Sequence, residues 1–165
     1  YKNSKRFDLD PTIVFAIIET ESSFNPKARS HIPAYGLMQL VPKSGARDAY
    51  LYLYKEDKFL NKGYLYNPAK NIELGCAYLA KIRYVYFKDI RDDKKAFICA
   101  IPAYNTGIGN VSKTLSNTSN LSKASEVANR LDFDRLYNKL KNELKYEEAR
   151  NYLTRVWERK DKYKS

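Results

Sequence analysis

Apolar residues in this chain keep returning at the three-and-four spacing of an α-helix, and the runs open on a capping residue followed by proline. Asp10-Pro11 precedes Val14, Ile17 and Ile18, and Asn67-Pro68 precedes Ile72, Leu74, Ala77, Tyr78, Ile82 and Val85. An Asp or Asn side chain there accepts from an unpaired first-turn N–H. Proline is preset for a position whose own N–H has no intrahelical partner. Asn25-Pro26 should close the first helix, because the residue before a proline is pushed out of the helical region. A second helix is predicted from Pro42 through Ala46, Ala49 and Leu53, with residues 58–66 reading as loop. Residues 94–105 form a fourth, mostly apolar helix, in which Pro102 removes a backbone donor and should kink or end it early. Thr106-Gly107-Ile108-Gly109 then turns the chain. Shorter helices are expected at 111–115, 124–129 and 133–140, with a polar, mobile loop around 116–122. A last helix runs from Tyr146 to about Lys162, and its basic tail should fray. No alternating strand series, repeat or linker interrupts the pattern, so the chain reads as all-α and as one domain over residues 1–165.

Composition narrows the partner rather than the fold. The 165 residues carry a net charge of +11, which draws polyanions such as nucleic acid, anionic lipid headgroups, or a cell wall bearing peptide carboxylates. Fifteen tyrosines suit sugar faces and nucleobases equally, although most should be packed with only their hydroxyls wet. Cys76 and Cys99 lack histidine neighbours at ligand spacing, so no metal site is read. They read as buried free thiols, with a disulfide open if the compartment is oxidising. No apolar run is long enough to span a bilayer. The folded domain is therefore expected to be soluble and monomeric. Since the sequence starts at Tyr1, any export signal or lipid anchor is expected upstream.

Glu21 is the residue that draws attention as chemistry, because it continues the apolar stripe of Val14, Ile17 and Ile18. A carboxyl on a buried face is held protonated by desolvation, which is what a general acid needs near neutral pH. The competing reading is a carboxylate at the core rim, paired with Arg29 or Lys27. Glu19, two positions away, points to another face and reads as structural or solvated. No other carboxylate in the first hundred residues lies in an apolar stripe, which argues against a hydrolase built on two carboxylates. His31 is the single histidine and sits in a loop, without a serine or cysteine nucleophile motif to serve.

The string Glu21-Ser22-Ser23-Phe24-Asn25-Pro26, then Ser30, then Gly36-Leu37-Met38-Gln39, then Ala103-Tyr104-Asn105 resembles the Slt-type lytic transglycosylases in order and spacing. Asn71-Ile72-Glu73-Leu74-Gly75 with Tyr78-Leu79, and Glu148-Ala149-Arg150-Asn151-Tyr152-Leu153, extend the likeness over nearly the whole chain. Within that family, residues 36–41 and the last helix resemble the membrane-bound C type. The resemblance implies a goose-lysozyme-like helical domain with a central substrate groove. It implies non-hydrolytic cleavage of the β-1,4 bond between N-acetylmuramic acid and N-acetylglucosamine in peptidoglycan glycan strands. Neither a cofactor nor nucleic acid takes part, and the setting is the periplasm, with any outer-membrane anchor in an upstream segment.

By the same resemblance, Glu21 protonates the leaving oxygen and then accepts the C6 hydroxyl proton. Ser30 hydrogen-bonds the Glu21 carboxylate, while Gly36, Leu37, Met38 and Gln39 line the groove. Tyr104 and Asn105 sit opposite Glu21, and Glu148 and Tyr152 line the groove or pair with an arginine. Two positions depart from the family pattern. Val41 stands where many members carry methionine, reshaping that wall, and Pro102 before the Ala-Tyr-Asn motif shifts the Tyr104 backbone. Two rival readings remain: a nucleic-acid-binding helical module, resting on charge, tyrosines and the turn near Thr106, and a murein-binding module without catalysis. The first leaves the ordered motifs unexplained, and the second leaves Glu21, Ser30, Gln39 and Asn105 without a purpose.

Overall fold

The computed structural model describes residues 1–165 and contains no strand. Ten α-helices follow in order: α1 (Lys2–Arg6), α2 (Pro11–Ser22), α3 (Gly45–Tyr54), α4 (Lys62–Tyr66), α5 (Pro68–Lys81), α6 (Asp93–Thr106), α7 (Ile108–Ser116), α8 (Leu121–Arg130), α9 (Phe133–Glu143) and α10 (Glu147–Arg159). A π-helical turn (Ile82–Tyr86) follows α5, and a 3-10 turn (Lys160–Tyr163) follows α10. The chain divides into two compact units, one of residues 1–81 with 159–165 and one of residues 82–158.

In the first unit α2 starts as its sequence predicts. Asp10 Oδ1 accepts from the Thr12 amide at 2.9 Å, and Pro11 occupies the first helical position. Ile13, Val14, Ala16, Ile17 and Ile18 form its buried face. α5 buries Leu74, Gly75, Cys76, Ala77 and Leu79 and packs along α3, where the Tyr78 ring covers Gly45 and Lys81 pairs with Asp48. Residues 58–66, read as loop, include the short helix α4. Its N-cap is Asn61, whose Oδ1 accepts from the Tyr64 amide at 2.9 Å. A single turn with a glycine inside it lacks the periodicity by which longer helices announce themselves.

The second unit is organised on α6, where every residue from Ala96 to Tyr104 is buried. Pro102 does not end this helix, which continues to Thr106. One lost backbone hydrogen bond is outweighed by burial of Ile98, Cys99, Ile101 and Ala103 on all sides of the helix. The segment between α7 and α8 is tied down by its own side chains: the Ser112 hydroxyl donates to the Thr118 carbonyl at 2.7 Å, and Thr118 Oγ1 accepts from the Asn120 amide at 3.1 Å. Asn129 on α8 bonds the Asp89 carbonyl and the Arg91 amide, which fixes the connection into α6. Cys76 and Cys99 are both buried and free, and burial pushes each thiol up to about 12.

Gly75 gives α5 its closest neighbour. A Cβ there would lie 2.3 Å from Met38 Sδ and 2.8 Å from Met38 Cβ, and Met38 is fully buried. Gly75→Ala is expected to displace Met38 and cost about 2 kcal/mol, read as a lowered midpoint in thermal unfolding.

Candidate active site

Glu21 lies half-buried in the last turn of α2. The helix stops two residues later because Ser23 and Phe24 both take left-handed conformations, with φ of 51° and 62°. Between them and Glu21, the Ser22 hydroxyl lies 3.0 Å from the Ile18 carbonyl and 2.7 Å from the Leu37 carbonyl. The second contact ties the turn that carries Glu21 to the segment Gly36-Leu37-Met38-Gln39.

That segment is a tight loop built on one buried side chain. Tyr35 and Leu40 exchange backbone hydrogen bonds of 3.0 and 3.1 Å, and the Gly36 amide donates to the Ala28 carbonyl at 2.9 Å. Asn71 of α5, fully buried, accepts from the Met38 amide at 2.8 Å and donates to the carbonyls of Tyr35 at 2.9 Å and Leu65 at 2.7 Å. Gly36 has φ of 82°, and a Cβ there would come within 2.3 Å of Asn71 Nδ2 and 2.4 Å of the Leu65 carbonyl. Only glycine fits that position. Gln39 turns its amide nitrogen inward, to the carbonyls of Ala28 and Gly36 at 3.0 Å each, from a left-handed backbone at φ 49°.

Ser30 is placed differently from the sequence expectation. Its hydroxyl donates to the Ile32 carbonyl and accepts from the Ala34 amide at 3.3 Å, so it braces its own loop rather than bonding Glu21. Hydroxyls in short polar loops are readily taken up by nearby backbone.

Glu19, the other carboxylate of α2, is committed elsewhere. Lys162 Nζ and Tyr163 Oη each donate to it at 2.7 Å, Arg159 lies 3.7 Å away, and Arg159 also reaches Thr20 Oγ1 at 3.1 Å. The Tyr163 ring stacks on Phe15 with centroids 5.4 Å apart. The tail expected to fray is thus a clasp on α2. Hydrogen bonds from Lys162 and Tyr163 hold the Glu19 carboxyl below the ordinary carboxylate range, while burial and Glu19 push Tyr163 up to about 12.

The second unit gathers the other four residues singled out in the sequence. Tyr104 and Asn105 close α6, and Asn105 Nδ2 donates to Glu148 Oε1 at 3.3 Å. Glu148 is exposed in the first turn of α10, where the positive helix end favours a carboxylate, and Tyr152 is buried one turn further on. The partner of Glu148 is therefore an amide rather than an arginine.

Residues 1–127 match the family model of the Transglycosylase SLT domain. The chain belongs to the SLT transglycosylase domain family. This SLT domain is 36% identical over 162 residues to the membrane-bound lytic murein transglycosylase C of Haemophilus ducreyi, covering 98% of the chain and 43% of the relative. It is 39% identical over 159 residues to the protein of the same name from Histophilus somni, covering 94% and 42%. The chain thus spans less than half the length of these curated relatives. Among solved structures, an inactive glutamate-to-glutamine mutant of lytic transglycosylase Slt from Pseudomonas aeruginosa matches with a TM-score of 0.73 at 28% identity, over 98% of this chain and 22% of that one. The expected all-α, lysozyme-like fold is borne out by that likeness.

Two features of the SLT domain carried no assigned role in the sequence reading. Asn71 had a signal: it shares a helix face with Leu74 and Gly75, and a carboxamide in an apolar stripe requires partners. The Glu19 clasp had none beyond a charge-rich tail. Asn71→Leu should leave the Met38 amide and the Leu65 carbonyl unpaired and cost on the order of 3 kcal/mol, measured by denaturant unfolding. Because Glu19 has a depressed value in the folded state, its contribution holds above the ordinary glutamate range and is lost as pH falls through the depressed one. NMR contacts between the Phe15 and Tyr163 rings should therefore weaken in acid, and Glu19→Gln should show that weakening already at neutral pH.

Proposed function

We propose that this domain is a peptidoglycan lytic transglycosylase with Glu21 as its single acid and base. Glu21 protonates the glycosidic oxygen between N-acetylmuramic acid and N-acetylglucosamine, and the bond from the muramic C1 to that oxygen breaks. The resulting carboxylate takes the proton of the muramic C6 hydroxyl as its oxygen bonds C1, giving a 1,6-anhydro end and restoring the acid. No water is consumed and no cofactor is needed, because the nucleophile belongs to the substrate.

The observation that carries this reading is the division of labour on α2. Glu19 is held anionic by Lys162 and Tyr163, whereas the Glu21 turn is joined through Ser22 to the loop built on Asn71. A mechanism with one carboxylate then falls to Glu21. The relatives named lytic murein transglycosylase, and an Slt enzyme inactivated by a glutamate-to-glutamine change, support it.

In this proposal Leu37 and Gln39 line the sugar groove, with Gln39 Oε1 as the acceptor it offers, while Gly36 and the buried Met38 support the loop from beneath and Ser30 shapes the adjoining loop. Asn105 bonds an N-acetyl group, the Tyr104 hydroxyl stabilises developing charge, and Glu148 and Tyr152 complete the sugar-binding set. Residues 1–165 act as one monomeric catalytic domain of a longer periplasmic protein anchored at the outer membrane. No helix here is long and apolar enough to cross a membrane.

Digesting purified peptidoglycan and identifying fragments by mass spectrometry tests this. Wild type should release anhydromuropeptides, and Glu21→Gln should lose about 10²–10⁴-fold in rate. Reducing-end fragments would instead establish a water-using hydrolase. Tight binding with no cleavage by either protein would leave a murein-binding module.

A further inference from the structure

The first unit carries a concave surface whose lining shares no residue with the Glu21 turn or the loop of residues 35–40. It is a cleft of about 410 Å³ between the α3–α4 connection and the start of α5, lined by Lys58, Phe59, Asn61, Tyr64, Asn67 and Lys70 over buried Leu60.

Its cations belong to the group in this unit that lies over tyrosine rings, as Lys27, Arg29 and Lys55 also do. Arg6, Arg47, Lys81 and Lys162 are each paired with a carboxylate. Lys58 and Lys70 are not: their ammonium groups lie over the rings of Tyr50 and Tyr64, at 5.7 and 4.7 Å from the centroids. Two of the nearby acids are engaged, Asp57 by Arg47 and Glu73 by Arg6 and Tyr54. Asn61 and Asn67 spend their Oδ1 atoms on the amides of Tyr64 and Lys70, which leaves their Nδ2 groups as donors. The cleft therefore presents ammonium and carboxamide donors, and no carboxylate lines it. Phe59 adds a ring face that is 58% exposed. Donors of this kind suit carboxylates and acyl carbonyls, and an exposed ring suits the C–H face of a sugar. No arginine lines the cleft, so the forked recognition that favours phosphate is missing.

We propose that this cleft is a second, non-catalytic binding site for an acidic glycopeptide, with a sugar ring against Phe59 and a peptide carboxylate between Lys58 and Lys70. The choice of glycopeptide rests on the reading of peptidoglycan as substrate. Such a site would hold a strand to the domain while Glu21 acts on a bond elsewhere along it.

Titration of the ¹⁵N-labelled Glu21→Gln domain, followed by NMR, tests the proposal without requiring turnover. The probes are the disaccharide dipeptide N-acetylglucosaminyl-N-acetylmuramyl-L-alanyl-D-isoglutamine, neutral chitotetraose, and glycerol phosphate. The acidic glycopeptide should shift the amides of Phe59, Gly63 and Lys70. Lys58→Gln with Lys70→Gln should weaken those shifts roughly five- to tenfold while thermal stability is unchanged. Equal shifts with chitotetraose, stronger shifts with glycerol phosphate, or none at the cleft would each overturn it. Failure of wild type to cleave peptidoglycan would overturn the catalytic reading alone, since the titration reports binding at a separate place.

Discussion

A buried carboxamide with all its neighbours inside protein is an all-or-nothing arrangement: water cannot replace a missing partner, and the low dielectric strengthens the bonds that are made. Asn71 is in that position. Its side chain joins the backbone at Tyr35 and Met38 to the backbone at Leu65, so two separate stretches of the first unit are fixed against one atom group on α5. Gly36 and Gly75 are the steric counterpart, since each lets the loop approach where any side chain would collide with Asn71 or Met38. The loop that meets the Glu21 turn owes its shape to this contact. The family motif Gly-Leu-Met-Gln is thereby partly a packing motif.

The two carboxylates of α2 show how neighbouring residues with the same chemistry acquire different fates. Glu19 receives an ammonium and a phenol hydroxyl and is fixed as an anion. Glu21, two residues on, occupies the turn that Ser22 fastens to Leu37. A helix places such residues on different faces, and the clasp engages the face that carries Glu19.

Much of the helical framework was legible because caps and apolar periodicity are local properties. Asp10-Pro11 and the buried stripe of α2 are where the sequence predicts, and α5 to α10 follow with small shifts. What escaped was set by tertiary structure. Pro102 obeys its surroundings rather than its propensity, since burial around α6 outweighs one missing bond. α4 is too short to have a period. The contacts of Ser30 with its own loop and of Glu148 with Asn105 were not legible, because a hydroxyl or carboxylate chooses among partners only three dimensions can supply. The clasp was illegible for a related reason: Lys, Arg and Tyr in a terminal stretch look the same whether solvated or folded back.

That fold-back has a consequence for biosynthesis. Glu19 and Lys162 are 143 residues apart in sequence, and the unit containing both is interrupted by the whole of residues 82–158. A nascent chain can bury α6 and its surrounding helices before the ribosome has supplied the strap for α2. The helix end bearing Glu21 therefore waits in an unfastened state until translation is nearly through this domain, and closing so long a loop is intrinsically among the slower folding events. A domain of this design gains its last fastening late, after residues 82–158 have been made.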